Sequence, residues 1–330
     1  MTQRFGWTGR DDPGDGTMTK RWHHVVRRFT EDFDHDDCIG GIVGFACDLG
    51  VERNQGRLGA RLGPDAVRKE LAGLAWHGGQ GTLIDYGNIS LPETTPMGDP
   101  LAAGQAKLGE QVDAALRRSG PALVIGGGHE TAVGSFGGLL EYYADQPGQR
   151  LGIINLDTHF DLREPGSDGA TSGTPFHQIR QTLEARGQEM NYLCLGIAET
   201  SNTLELFDRA RRWGAGYLLD RELRPHLMAP VWPKIDNLLE HCDVLYLSLD
   251  LDVLPHWQMP AVSAPAAHGV GIEVVEDIIE YLADKREAGK VSWPLSDVVE
   301  FNPQFDQDGR AARVAARLCA KLMRAMMIGI

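Results

Sequence analysis

The sequence predicts an α/β protein in three layers, a central and mostly parallel sheet of about eight strands with helices on both faces. Three observations lead there. Apolar runs such as Ala122-Leu-Val-Ile125, Leu151-Gly-Ile-Ile-Asn-Leu156 and Val244-Leu-Tyr-Leu-Ser-Leu249 have the length of strands buried on both sides. They alternate with longer stretches of helical character, and strands joined by helical crossovers run parallel. The 330 residues, 42% of them hydrophobic, can bury one large core.

The first 37 or so residues are polar, with an acidic run from Glu31 to Asp37, so residues 1–37 read as an arm and 38–330 as a single domain. A strand from Ile39 to Ala46 precedes a helix from Pro64 to Ala72, where Pro64 suits the first turn and Asp65 lies close to the helix N-terminus. Next come a strand from Leu83 to Tyr86, a helix from Pro100 to Arg118, the strand that runs into Gly126, and a helix from Thr131 to Tyr143. The strand ending at Asp157 is followed by a helix from Phe176 to Arg186. Strands from Tyr192 to Ile197, Tyr217 to Leu219, Val244 to Leu249 and Leu295 to Val299 then alternate with helices from Leu204 to Trp213, Val231 to His241 and Ile272 to Asp284. A last helix runs from Gly309 to Met327.

A formal net charge of -14 without any Lys/Arg cluster excludes a nucleic-acid or membrane-surface partner, because phosphate binding needs a basic face. Cys38, Cys47, Cys194, Cys242 and Cys319 are scattered and lack C-x-x-C spacing, as expected of reduced thiols in a cytoplasmic protein. The N-terminus has no signal-peptide core, and no apolar run reaches the length of a membrane span.

Chemistry concentrates where strands end. Side chains two apart on an extended chain share a side, so Asp157, His159 and Asp161 can converge, and so can Asp250 and Asp252. A third strand runs into Gly126-Gly-Gly-His129-Glu130. Taken singly, an Asp after a strand is more often a cap or turn residue and a His more often structural. Together, four carboxylates and two imidazoles at strand ends are about right for two ions, and crowded carboxylates without a cation would repel. Ligands of this hardness favour Mn²⁺ over structural zinc. Two such ions roughly 3.5–4 Å apart would bridge a water and supply hydroxide near neutral pH, which is hydrolase chemistry.

With these motifs the chain resembles the ureohydrolases, the arginase and agmatinase superfamily, from Gly40 onward. The resemblance rests on Asn54-Gln-Gly-Arg-Leu-Gly-Ala-Arg61, Gly126-Gly-Gly-His-Glu130, Asp157-Thr-His-Phe-Asp-Leu-Arg163, Thr171-Ser-Gly-Thr-Pro-Phe-His-Gln178, Ser248-Leu-Asp-Leu-Asp-Val-Leu-Pro255, Ser263-Ala-Pro265 and Glu300-Phe-Asn-Pro303. Within the superfamily it looks most like the branch that hydrolyses N-formimidoyl-L-glutamate to glutamate and formamide in histidine degradation. The resemblance implies an arginase-like fold, two Mn²⁺ ions per subunit, and trimers or hexamers. It also implies that His129, Asp157, Asp161 and Asp250 hold one ion and Asp157, His159, Asp250 and Asp252 the other. A bridging hydroxide would attack the formimidoyl carbon, Asp161 would relay a proton to the leaving amine, and Glu300 would face the cationic formimidoyl nitrogen.

Arg163, two residues beyond Asp161, can grip a carboxylate with both prongs of its guanidinium; formimidoylglutamate has two carboxylates and agmatine none. Its alternative role is to neutralise a neighbour such as Glu164. Ser172, Gly173 and Thr174 can offer hydroxyl and backbone N–H donors to the other carboxylate. Arg57 and Arg61 are further candidates, with loop bracing as the alternative, and Trp7 and Arg10 either cap the site or pack on the surface. Gly128 and Thr158 stand where many relatives have Asp and Ala, at positions that alternate away from the ions. Phe176 occupies the slot of the arginases' proton-shuttling His, and His177, one residue later, is not taken as catalytic. Two rival functions stay open. Another ureohydrolase, a guanidino-acid hydrolase or agmatinase, would release urea; a metal-stabilised binding subunit would turn nothing over.

Overall fold

The computed structural model describes residues 6–12, 16–31, 37–91, 98–146 and 148–327. Its strands are β1 (Val26–Arg28), β2 (Cys38–Ala46), β3 (Thr82–Ser90), β4 (Ala122–Ile125), β5 (Leu151–Leu156), β6 (Asn191–Ile197), β7 (Gly216–Leu219), β8 (Val244–Asp250) and β9 (Ser292–Val299). They form one sheet in the order β1-β3-β2-β4-β9-β8-β5-β6-β7, with every neighbouring pair parallel. All eight expected strands are present. The ninth, β1, comes from the stretch read as an arm and pairs along the edge of the sheet, Val26 opposite Leu83. Three residues with one buried side chain carry too little periodicity to be read as a strand.

The helices are α1 (Trp22–Val25), α2 (Leu49–Arg53), α3 (Gly63–Ala72), α4 (Pro100–Ser119), α5 (Thr131–Tyr142), α6 (Pro175–Ala185), α7 (Leu204–Arg212), α8 (Trp232–Glu240), α9 (Ile272–Glu287) and α10 (Arg310–Met327). The strand alternation sorts the interior into two cores. Leu123, Ile125, Ile154, Leu156, Leu245 and Leu247 pack with α3, α8, α9 and α10, whereas Ala122, Val124, Ile153, Val244 and Tyr246 pack with α4 to α7. A strand buried on both faces needs apolar residues at odd and even positions alike, which explains the uninterrupted apolar runs.

The N-terminal segment is stapled to the first of these cores. Trp7 Nε1 donates to Asp85 Oδ2 at 2.7 Å, while Asp85 Oδ1 accepts from the fully buried Arg68 at 2.8 Å. Trp7 therefore completes a buried ion pair and does not cap the strand ends, and Arg10 pairs with Asp12. The five cysteines form no disulfide, and four of them are buried. Among the described residues no helix is long and apolar enough to cross a membrane.

Candidate metal centre

The four central strands, β4, β9, β8 and β5, are consecutive neighbours, and all of the candidate ligands lie at their carboxyl ends. In an open parallel sheet that edge is where ligands bind, because the loops there can converge without breaking the ladder. His129 follows β4 through Gly126-Gly127-Gly128, Asp250 closes β8, Asp157 follows β5, and Glu300 follows β9. The glycines are a steric requirement. A methyl group on Gly127 would overlap the backbone carbonyl of Cys47, and one on Gly128 would overlap the carboxylate of Glu130.

Asp161 and Glu300 have left-handed backbone, φ 50° and 68°, which costs a non-glycine residue about 1–3 kcal/mol and persists only where the surroundings enforce it. Here the Asp161 carbonyl accepts from Phe176 N at 3.2 Å, and Glu300 N donates to the Gly127 carbonyl at 2.7 Å. Both turns aim a carboxylate back over the strand ends.

The side chains meet in two groups that share Asp157: His129, Asp157, Asp161 and Asp250 form one, and Asp157, His159 and Asp252 the other. His129 Nδ1 lies 3.2 Å from Asp157 Oδ2, 2.9 Å from Asp161 Oδ2 and 3.0 Å from Asp250 Oδ2, yet makes no aligned hydrogen bond with any of them. His159 Nδ1 lies 2.9 Å from Asp252 Oδ2 and 3.5 Å from Asp157 Oδ1. His129 Nε2 meets Ser248 Oγ at 3.0 Å, and that hydroxyl donates to Asp297 Oδ1 at 2.6 Å. Since the Ser248 proton goes to Asp297, Ser248 accepts from Nε2–H, and the neutral ring presents its lone pair at Nδ1. Three carboxylate oxygens then converge on the free nitrogen with no aligned hydrogen bond among them, a donor set that fits a cation.

Burial pushes Asp250 well up, Asp161 up, and Asp252 to about 6, and neighbouring carboxylates add to each shift. Burial also acts on Asp157, but the His129 and His159 imidazoles beside it outweigh that and hold this carboxyl below its ordinary value. Glu300 is pushed up to about 8 by burial and then by Glu130. Its oxygens accept from His129 N at 2.9 Å and Ser263 Oγ at 2.8 Å.

A cavity of about 200 Å³ opens over the cluster, and Arg163, Ser172 and Gly173 line it with His159, Asp161, Asp250, Asp252 and Glu300. Among the described residues Arg163 makes no ion pair; Glu164, its supposed partner, is 3.1 Å from Arg209 instead. Arg163 N donates to the Gly173 carbonyl at 3.0 Å, joining the two loops. The Gly173 amide is already given to Thr171 Oγ1 at 3.2 Å. Thr174 does not face the cavity: its buried hydroxyl accepts from Thr171 N at 3.0 Å and bonds the Thr171 carbonyl and Gln178 at 2.9 Å each. Arg57 holds the carbonyls of Pro260, Val262 and Ser263, and Arg61 pairs with Asp48, so both brace loops. Phe176 sets its ring edge-on to His129, 5.3 Å between centroids, while His177 packs on Trp213. A larger groove of about 710 Å³, beside α10, shares no residue with this cavity.

Sequence reasoning missed several supports. Asn155 Nδ2 donates to Asp157 Oδ2 at 2.9 Å, and Ser248 precedes Asp250 by two; in both cases strand alternation was the available signal. Asp297, a carboxylate inside an apolar strand, was a second signal. Asn202, which accepts from Phe160 N at 3.0 Å and donates to the Thr158 and Ala198 carbonyls at 2.9 Å each, gave none.

Comparison with known proteins agrees with this geometry. A profile of the Arginase family matches residues 40–325. The chain is similar to the formimidoylglutamase of Chromobacterium violaceum, 46% identical over 96% of this chain and 97% of the relative. It is 44% identical to the formimidoylglutamase of Aeromonas hydrophila, over 96% of each. Among solved structures, Trypanosoma cruzi formiminoglutamase with Mn²⁺ superposes with a TM-score of 0.75 at 27% identity, covering 90% of this chain and 96% of that one.

Proposed function

This chain belongs to the arginase family, and from that premise we propose that it is a binuclear manganese hydrolase that cleaves N-formimidoyl-L-glutamate to L-glutamate and formamide. The observation that carries the reading is the pair of buried His/Asp groups sharing Asp157, set beside a cavity at whose wall Arg163 has no protein counter-ion among the described residues.

His129, Asp157, Asp161 and Asp250 would hold one ion, and Asp157, His159 and Asp252, with Asp250 as a second bridge, the other. When bound, the ions supply the positive charge that makes water acidic enough to act as hydroxide near neutral pH. The chain's own residues do the rest. Ser248 and Asp297 fix the tautomer of His129. Arg163 grips one substrate carboxylate, and Ser172 offers its hydroxyl to the other. Gly173 contributes by having no side chain, since a methyl there would come within 3.3 Å of Arg163 Cδ. Thr174 acts through the loop it closes. Glu300, made a reluctant carboxylate by burial and by Glu130, becomes a stable one beside the cationic formimidoyl group and so orients the carbon to be attacked. Asp161 takes a proton from the nucleophile and delivers it to the departing glutamate nitrogen, which leaves as an amine.

In the same reading residues 38–330 are the catalytic domain and 1–37 an N-terminal arm that lends it the edge strand β1, the subunits assemble into trimers or hexamers, and the enzyme works in the cytoplasm. The test is an assay of the Mn²⁺-loaded protein against N-formimidoyl-L-glutamate, arginine, agmatine and guanidinobutyrate, following formamide, glutamate and urea. Formamide and glutamate from the first compound alone is the expected result. Urea from a guanidino compound would overturn the substrate, and silence on all four would overturn the enzyme.

A further inference from the structure

Asn54 lines the cavity beside Ser172 and Gly173, although it sits more than a hundred residues away from them in the chain. Its backbone is held on both sides. The preceding helix, α2, is anchored by Arg53, which forks Asp99 at 3.0 and 2.7 Å and reaches the Ala170 carbonyl at 3.2 Å. Gly50 in the same helix donates its N–H to the buried Glu130 at 2.9 Å, tying α2 to the loop of His129. The next residue, Gln55, is left-handed with φ 61°, a conformation that a non-glycine residue adopts only under constraint.

Asn54 Nδ2 donates to Ser172 Oγ at 3.3 Å. This leaves one amide proton and the Ser172 hydroxyl proton without a protein acceptor among the described residues, both on the wall that carries Arg163. The facing wall is acidic: Asp161, Asp250, Asp252 and Glu300. A dicarboxylate entering this cavity finds a cation and free donors side by side along the Asn54, Ser172 and Arg163 edge, whereas the opposite carboxylates are those that would hold the ions and face the formimidoyl group. Arg163 satisfies one carboxylate, and the second needs neutral donors.

We propose that Asn54 is a specificity-determining residue, whose amide together with the Ser172 hydroxyl receives the substrate carboxylate that Arg163 does not. The inference rests on the reading of the site as a formimidoylglutamate hydrolase. It makes the pocket a two-point gauge that selects dicarboxylates over substrates with one carboxylate or none.

The test compares wild type, Asn54→Ala and Asn54→Asp on three substrates: N-formimidoyl-L-glutamate, N-formimidoyl-4-aminobutyrate, which lacks the α-carboxylate, and N-formimidoyl-2-aminobutyrate, which lacks the side-chain one. Mn²⁺ binding and thermal midpoint are measured alongside. Losing a hydrogen bond to a charged group raises KM for the full substrate about tenfold or more in Asn54→Ala. The added negative charge in Asn54→Asp raises it about a hundredfold or more. In both variants kcat stays within about threefold, and Mn²⁺ affinity and thermal midpoint hold. On one of the two analogues wild type and Asn54→Ala become indistinguishable, because the carboxylate that Asn54 would hold is missing. Unchanged KM, a fall in kcat or Mn²⁺ affinity instead, or an equal penalty on both analogues would overturn the proposal while the enzyme reading stands. A wild type inactive on N-formimidoyl-L-glutamate would overturn both.

Discussion

At the scale of the residue, the decisive detail is which nitrogen of His129 is free. Ser248 Oγ lies 3.0 Å from Nε2 and hands its own proton to Asp297, which also accepts from the Tyr246 hydroxyl, so Nδ1 is left for an ion. Ser248→Ala removes the acceptor and lets the ring turn or change tautomer. Mn²⁺ affinity in titration calorimetry is expected to fall about 10- to 100-fold, the usual effect of losing a group that orients a ligand. Arg163 gives a contrasting case. It touches none of the ligands through an ion pair, so Arg163→Ala should leave Mn²⁺ binding intact and raise KM for N-formimidoyl-L-glutamate about a hundredfold, the loss of a two-pronged charged contact. A matching fall in Mn²⁺ affinity would show that Arg163 holds the metal loop instead.

At the scale of the element, the turn after β4 decides whether His129 arrives. Gly128 N donates to the Cys47 carbonyl at 3.0 Å, and a Cβ on Gly127 would collide with that same carbonyl. Backbone cannot fold away as a side chain can, so Gly127→Ala must displace the segment that follows β2 or the β4 loop. A clear drop in thermal midpoint together with weakened Mn²⁺ binding is expected. Gly137, on the exposed side of α5, has nothing near its missing Cβ. Gly137→Ala should be neutral or stabilise the protein by up to about 1 kcal/mol, since alanine loses less backbone entropy in a helix. If both variants melt alike, the close approach at Gly127 is not what constrains the turn.

At the scale of the whole molecule, the ligand cluster sets the dependence of stability on pH and metal. Asp250 and Asp252 have raised values, the latter about 6, Glu130 and Glu300 lie at about 7 and 8, and His129 and His159 are raised well above normal by the carboxylates around them despite burial. A group whose folded value lies above its unfolded one binds its proton more tightly in the folded chain. Its stabilisation is therefore complete below the ordinary value and is lost as pH rises through the raised one. For the metal-free protein thermal stability should fall between about pH 5 and 8. Ions compete with those protons, so Mn²⁺ should raise the melting temperature more at pH 8 than at pH 5.5, and proton release should accompany binding. A metal-free protein that melts at one temperature across this range would contradict the electrostatics of the cluster.

Sequence alone determined eight of the nine strands and the candidate ligands at their ends, because both are local. An apolar run of six residues is legible without its neighbours, and alternation puts Asp157 with His159 and Asp161, and Asp250 with Asp252, on one side. Which ends would meet was not local. The order β4-β9-β8-β5 brings four separate segments together, and the register that sets Ser248 opposite Asp297 supplies the His129 support. Likewise β1, the Trp7 contact with Asp85, the inward turn of Thr174 and the arrival of Asn54 beside Ser172 depend on partners far along the chain. Only tertiary structure decided these, since a side chain's periodicity fixes the face it occupies but carries no information about what stands opposite.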